Sequence, residues 1–587
     1  MEESPIQGGG MSRHTHIEKA LPGFVLGKFL ITFAEIYRDG LDPSPIICRK
    51  SMKRSIFSLL SLLAAMAVEA QPVWFPFNHK PNREVRAVWL TTIGGLDWPH
   101  SYSQSERSAL RQQQELCRIL DEYEQLGINT VLIQTRIRAT TIYPSAYEPW
   151  DGCLSGVPGT SPGYDALKFA IDECHKRGME LHAWVVTMPV GKWNGYGCQQ
   201  LRKRHGNLLK KIGPDGYLNP EKEATGNYLA DICEEIVRNY DVDGIHLDYI
   251  RYPETWPQKT DKQTGRSHIT GIVRKIHDRV KGLKPWVKMS CSPVGKYTDL
   301  TRYWSHGWNA YDKVCQDAQG WLRDGLMDEL FPMMYFRGDQ FYPFAIDWKE
   351  NDYGKIVATG LGIYFLHPQE ANWQLQDITR EMEVNRGIGL GHCFFRGKFL
   401  TDNTKGIMDF TKMFNSYPAL VPAMTWISHE KPAKPKVERV KGENVLRVDA
   451  PKDTYINIYV DGQLTVARRQ LDVIPYAAGR RYEIRAINRY GNESEGAFYP
   501  LPAHPVDETP IGLLECNNQM AQVPLAELVS PKDMVCATDM QGRLVRTLRR
   551  RGTMVDVSSL PDGMYCLRSI NRKGKTHRLG MFKVRRH

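Results

Sequence analysis

The sequence predicts an α/β protein: a (β/α)8 TIM barrel followed by two small all-β sandwich domains. Three observations carry that prediction. Between Arg83 and about Tyr417, strand-length apolar runs alternate with longer amphipathic runs, and the strand candidates number eight: VRAVWLTT, INTVLIQT, ELHAWVVT, VDGIHLDY, WVKMSCSP, DELFPMMY, KIVATGLGIYF and IGLGHCFF. Parallel strands covered on both faces read as near-continuous apolar runs, so eight strand-helix units over roughly 330 residues fit a closed barrel with insertions better than an open doubly wound sheet. Beyond this stretch the apolar period falls to two and Gly and Asn turns appear, as all-β modules require.

Taken in order, the chain begins with 51 residues that precede MKRSIFSLLSLLAAMAVEAQP. There Lys53 and Arg54 lead into an apolar run from Ile56 to Val68, with small residues at Ala67 and Ala70. This is the pattern of a secretory signal peptide cleaved after Ala70. An export signal is read at an N-terminus, so 1–51 reads as a mis-called extension and 52–70 as the signal. The expected location is across the inner membrane, in the periplasm or at the cell surface of a Gram-negative bacterium. No later segment reaches the ~18 to 20 apolar residues of a spanning helix, and no Cys after the cleavage site invites a lipid anchor.

Within the barrel region, 83–417, ERSALRQQQELCRILDEYEQLG places Leu110, Leu116, Ile119, Leu120, Tyr123 and Leu126 mostly on one helical face and closes on Gly127, which suits a left-handed cap. YDALKFAIDECHKRG repeats the form and closes on Gly178. EKPAKPK, 430–436, is a linker. A β-rich segment follows at 437–502 with YINIYVDG and YEIRAINRYGNES, and a second at 510–587 with VCATDMQGRLVRTL and VDVSSLPDGMYCLRSI.

Composition narrows the function classes. The chain is 42% hydrophobic and 24% charged, which is ordinary for folded domains. Its net charge is +11, and the arginine-dense RTLRRRG and KVRRH lie at the C-terminal end. No interleaved aromatic-and-basic pattern accompanies them, so an anionic envelope surface is the expected partner and nucleic acid is not. The twelve Cys are scattered. Cys117, Cys174 and Cys233 fall in predicted helices as small hydrophobes, while Cys153 and Cys198 fall in predicted loops and are candidates to pair. No Cys/His cluster has metal-ligand spacing, so neither a metal nor a cofactor is expected.

A barrel of this kind carries its active site at the C-terminal ends of the strands. In DVDGIHLDYIRYP that rule puts Asp248 at the mouth, and Asp241 and Asp243 at the opposite end as stabilising groups. The plain alternative for Asp248 is an ion pair with Arg251. Around it the neighbouring strand ends supply Trp89, Gln134, Arg136, His182 and Trp184, with Tyr249 and Arg251 following on the same strand. Aromatic residues recur in the expected top loops at Trp98, Trp150, Trp193, Trp256, Trp304, Trp308 and Tyr335. Flat amphipathic rings suit the apolar faces of sugars, which makes a polysaccharide the expected substrate. Substrate contacts are assigned to Gln134, Arg136, His182, Trp184, Tyr249, Arg251 and Tyr335.

The region 83–415 resembles the bacterial glycosyl hydrolase-like 10 family through REVRAVWLTT, NTVLIQTRIRATTIYPSAYEPW, GYDALKFAIDECHKRGMELHAWV, DVDGIHLDYIRYP and GWLRDGLMDELFPMMYF. The resemblance implies a (β/α)8 glycosidase-like domain of the bacterial envelope, some members of the family being linked to cleavage of peptidoglycan glycan strands. Where the family motif continues HAWLNPYR, this chain has HAWVVTMPV, which removes an Asn and an Arg from the cleft. DGIHLD is also similar to the strand-four pattern of α-amylases, in which the final Asp is the nucleophile. The chitinase run is similar too, but its general-acid Glu falls at Ile250, which excludes that mechanism. The segment 437–502 resembles a fibronectin type III domain, and DMQGRLV followed by LPDGMYCLR resembles the C-terminal sorting modules of secreted Bacteroidetes proteins, with FKVRRH an approximate ending.

Glycoside hydrolysis ordinarily uses two carboxylates, ~5 to 5.5 Å apart for retention and ~6.5 to 9.5 Å for inversion. Strand five, KMSCSPVG, supplies none. The candidates to partner Asp248 are Glu148 and Asp339, with Asp151 and Glu254 also in top loops. An N-acetyl group on the substrate is a further route to a nucleophile, with Asp248 orienting it. The reading is a secreted glycosidase acting on a cell-envelope or environmental polysaccharide, with Asp248 central, and its rival is a non-catalytic carbohydrate-binding barrel that has kept the cleft and lost the acid.

Overall fold

Eight short strands, each flanked by turn-forming residues, close on one another: β1 Arg86–Leu90, β2 Thr130–Ile137, β3 Glu180–Val186, β4 Gly244–Asp248, β5 Lys288–Cys291, β6 Glu329–Leu330, β7 Ile356–Leu361 and β8 Gly391–Phe394. The structure is a computed structural model that describes residues 80–301, 307–500, 520–522, 533–539, 544–551, 554–570 and 576–584. The expected extension at 1–51, the expected signal peptide at 52–70 and Trp304 lie outside the described residues. Every neighbouring pair of barrel strands is parallel. Closure comes from β8 returning to β1, with Arg86 opposite His392 and Val88 opposite Phe394. The (β/α)8 expectation therefore holds and the open sheet does not.

The helices that cover the barrel include α1 Glu106–Gln125, α2 Ala166–Lys176, α3 Glu223–Asn239 and α4 Lys262–Leu283. α1 starts where Ser105 caps Ser108 and stops at Gly127, whose φ of +66° needs a glycine. Leu116, Leu120 and Tyr123 are buried as their spacing implies, but Leu110 is 56% exposed. Its expected place in the core is taken by Gln112, whose amide donates to the carbonyls of Ser101 and Leu154 (2.7 Å to the latter). A satisfied amide is tolerated in the core because both of its donors find acceptors. Cys153 and Cys198 are separate buried thiols, and Cys198 stands in a helix, Tyr196–His205.

Alternation along the strands divides the apolar residues into two layers. One set packs between strands and helices, and the other, with Ala87, Trp89, Leu132, Trp184, Val186, Phe331 and Ala358, fills the barrel interior. After the barrel a three-stranded antiparallel sheet (Lys436–Arg439, Val445–Asp449, Val473–Pro475) faces a four-stranded one (Gln463–Arg469, Tyr455–Val460, Tyr482–Ile487, Ala497–Tyr499). Leu446, Val448 and Ile474 of the first pack on Ile456, Ile458 and Ile484 of the second, forming a small sandwich core. A six-stranded antiparallel sheet lies at the C-terminal end with its own core around Val535, Leu548, Leu567 and Phe582. No described helix is long and apolar enough to cross a membrane.

The sandwich is fastened to the N-terminal end of the barrel through Asp243. Its carboxylate accepts from the Leu181 N–H (2.9 Å), pairs with His175 (2.8 Å) and Arg489 (3.1 Å), and receives the Arg468 guanidinium. These neighbours hold Asp243 well below the usual carboxylate range against the opposing effect of burial. The stabilising role read for Asp243 from its place at the strand start is the one it has.

Candidate functional site

Strand β4 ends at Asp248, and the chain then turns sharply: Tyr249 sits at φ +53°, a conformation a bulky residue adopts only when its surroundings impose it. The turn leaves the Asp248 carboxylate at the barrel mouth with three donors around it. Ser292 Oγ donates to Oδ1 at 2.7 Å, the Tyr249 N–H to Oδ1 at 2.8 Å, and the Trp184 indole N–H to Oδ2 at 3.1 Å. The strand end itself is fixed by Thr187, whose N–H and hydroxyl both donate to the Asp248 carbonyl (2.9 and 2.8 Å). Burial pushes the Asp248 carboxyl above its ordinary value, while Ser292, Arg251 and Trp184 pull it back toward the anion. The arrangement is that of a carboxylate held in one orientation, with burial and its donors acting in opposite directions on its proton.

Aromatic and cationic groups gather beside it. The Arg251 guanidinium lies 4.6 Å from the Tyr249 ring centroid and pairs with Glu254 at 2.7 Å. The ion pair that Arg251 makes is thus with Glu254, not with Asp248. Tyr335 stacks on Phe395 at 5.4 Å, and Phe395 in turn meets Trp89 edge-on at 5.9 Å. Beneath Asp248, the Trp89 indole donates to His246 Nε2 (3.2 Å), and His246 Nδ1 meets Ser290 Oγ at 3.0 Å. Burial drives the His246 pKa far down, so the ring is neutral, with Nε2 as acceptor and the proton on Nδ1.

Of the residues assigned from sequence, the structure brings Asp248, Trp184, Tyr249, Arg251 and Tyr335 together. Gln134 stands at the mouth in a supporting position: its Oε1 accepts from the N–H groups of Thr92 (3.2 Å) and Ile93 (2.8 Å), shaping the loop after β1. Three assignments need correction. Arg136 and Glu148, expected to touch substrate and to supply the second carboxylate, grip each other instead in a bidentate pair (2.6 and 2.8 Å). Both are buried, Arg136 also donates to the Val186 and Thr187 carbonyls, and Tyr228 donates to Glu148 at 2.8 Å. A carboxylate so neutralised buttresses the ends of β2 and β3 and does not face the cleft. His182 sits two inward positions below Asp248, opposite Leu132 and Gly244, the first residue of β4, enclosed with Glu180 (3.4 Å) and Glu329 (3.8 Å). Asp339 is exposed on a short 3-10 turn, Gly338–Gln340, and makes no hydrogen bond to Asp248.

Among the aromatic residues expected in the top loops, Trp98 is core, donating its indole N–H to the Gln112 carbonyl at 2.9 Å, whereas Trp308 is 45% exposed. Ser292 is absent from the residues expected at the site, because the carboxylate pattern that marks Asp248 carries no signal for a hydroxyl donor. A hydroxyl two positions beyond Ser290 on the inward period of β5 was the available signal. A cleft of about 880 Å³ opens among the loops after β1, β2 and β3, lined by Tyr102, Arg138, Asp151, Tyr196 and Asp215. Among the described residues no group of three or more His, Cys, Asp and Glu is placed to hold a metal ion.

The family model described as Glycosyl hydrolase-like 10 matches residues 84–364. Glycosyl hydrolase YngK of Bacillus subtilis (strain 168) is 30% identical over 442 residues, 68% of this chain and 85% of YngK. Glycosyl hydrolase DigH of Escherichia coli (strain K12) is 30% identical over 422 residues, 60% of this chain and 95% of DigH. Among solved structures, the glycoside hydrolase domain of PgaB (BpsB) from Bordetella bronchiseptica covers 56% of this chain and 98% of its own, at 11% identity and a TM-score of 0.39. At that score the fold rests on the strand pairing above.

Proposed function

The chain belongs to the glycosyl hydrolase-like 10 family, and on that premise we propose that it is a secreted glycosidase acting on a cell-envelope polysaccharide of the peptidoglycan type, with Asp248 at the reacting centre. The observation that carries the proposal is the buried Asp248 carboxylate, held by Ser292, Trp184 and the Tyr249 N–H at the barrel mouth. Three aimed donors fix one carboxylate geometry without further reorganisation, which suits a nucleophile or a group that stabilises positive charge at the anomeric carbon. The rings of Tyr249 and Tyr335 offer flat apolar faces to a sugar, and Arg251 offers a fork of donors to a hydroxyl or to an acidic substituent. With Glu148 held by Arg136, the acid that protonates the leaving oxygen falls to a loop carboxylate, for which Glu254, Asp339 and Asp151 are the candidates. The modules beyond 430 complete the proposal: a fibronectin type III-like sandwich and a sorting-like β domain that carry the barrel outward.

The test is release of reducing ends from purified peptidoglycan glycans by the wild type and by Asp248→Asn. The proposal expects release by the wild type, loss in the variant by about 10³-fold or more, and binding intact in both. One observation favours the rival reading, a non-catalytic carbohydrate-binding barrel: Glu148, an expected second carboxylate, is locked in a buried bidentate pair with Arg136. Retained binding with no release by the wild type across a polysaccharide panel supports that rival.

A further inference from the structure

The C-terminal sheet is strongly basic, and part of that charge lies on the face turned away from its core. Residues 533–587 hold thirteen Lys and Arg against four Asp and no Glu, which is nine of the chain's eleven excess positive charges. Within the described strands, Val535, Ala537, Tyr565, Leu567 and Phe582 point into the core. Strand alternation sends Met534, Arg549, Met564, Arg568 and Lys583 to the opposite face. A bulge between Ala537 and Thr538 brings Leu544 opposite Thr538 and onto that same face. Three large apolar side chains are exposed there, Leu544 at 62%, Met534 at 46% and Met564 at 37%, while Arg549 and Lys583 are exposed beside them. Asp556, directly across from Arg549, turns its carboxylate to Ser558 (3.0 Å to the N–H).

We propose that this face docks on an anionic lipid bilayer, with Arg549, Arg568 and Lys583 meeting lipid phosphates and Leu544, Met534 and Met564 entering the headgroup boundary. Charge complementarity selects the class of partner, because a face this basic is repelled by cationic and indifferent to neutral surfaces. The exposed thioether and aliphatic side chains select the bilayer from among anionic partners. Stable membrane attachment takes two signals, such as apolar insertion together with a basic cluster, and this face has both. A nucleic acid is the weaker match, since Tyr565 and Phe582, the rings of these strands, are turned into the core and leave no stacking platform.

The experiment is co-sedimentation of the chain from Gln71 onward, the expected secreted form, with phosphatidylcholine vesicles and with vesicles that also contain phosphatidylglycerol. The expected result is partitioning onto the anionic vesicles about tenfold above the neutral ones, falling toward the neutral level when salt rises from about 0.1 M to about 0.5 M. Arg549→Glu/Lys583→Glu, two exposed positions that the core does not need, is expected to remove the anionic preference with an unchanged thermal melt. Leu544→Ser/Met564→Ser is expected to weaken vesicle binding at both salt concentrations. Equal partitioning of wild type and charge-reversed chain overturns the proposal. So does binding to duplex DNA or polyphosphate without binding to vesicles, or an absence of vesicle binding altogether.

Discussion

Ser292 Oγ, on the residue that follows β5, donates to Asp248 Oδ1 across 2.7 Å, and burial encloses both groups. The hydroxyl favours the anionic carboxylate and so opposes the upward effect of burial on its pKa. Ser292→Ala removes that donor, and the Asp248 pKa moves further up. Activity that needs the anion then loses its acid side first, so the rising limb of the pH–rate profile shifts to higher pH and kcat falls by about 10- to 100-fold at neutral pH. A pH–rate profile with an unmoved acid limb would dissociate Ser292 from the reaction.

Glu148 and Arg136 form a buried bidentate pair, and removing one partner leaves the other charge unpaired in the interior. Glu148→Gln is expected to destabilise the barrel by about 3 to 5 kcal/mol. Because Glu148 does not face the cleft, the folded fraction of the variant keeps its pH–rate profile. Denaturant midpoints together with active-site titration read the two effects separately, and loss of turnover at full stability would return Glu148 to the catalytic group.

Glu329 is buried with no hydrogen-bond partner on either oxygen, and burial raises its pKa from 4.5 to about 7. A raised carboxyl pKa means the folded state holds a proton that the unfolded state has released between pH 4.5 and about 7. Its contribution therefore becomes unfavourable as pH rises through that window and stays so above it. Glu329→Gln keeps the shape and removes the titration. The variant is expected to gain about 1 to 3 kcal/mol over the wild type at pH 8 and little at pH 4.5, measured by urea unfolding at both. An equal difference at the two pH values contradicts the assignment.

Asp243 collects His175, Arg468 and Arg489 at the junction of barrel and sandwich. Arg468→Ala removes one of the three side-chain partners of a buried carboxylate, leaving Arg489 and His175 in place, and is expected to cost about 1.5 to 3 kcal/mol. Limited proteolysis is expected to cut the linker near Glu430 faster in the variant, with the barrel fragment surviving. Unchanged cleavage would show that the sandwich is held by other contacts.

The sequence by itself determined the barrel, because strand count, inward and outward alternation and helix caps such as Gly127 are local patterns that each stretch of chain carries within itself. It also determined that Asp248 stands at the mouth, since a strand's last inward residue is set by the strand's own length and direction. Only the tertiary structure decided what each side chain at the mouth is bonded to. Ser292 reaches Asp248 from 44 residues away, and Arg468 reaches Asp243 from 225 residues away. The inward positions of adjacent strands face a shared interior, so whether Arg136 meets substrate or Glu148, and whether His182 stands at the rim or below it, depends on strand register and barrel closure. Hydrogen bonds form at distances near 3 Å, and periodicity locates a residue no more finely than its face and its layer. The strand reading was therefore sufficient for the scaffold, while the partners of Asp248, Glu148 and Gln112 were settled by packing.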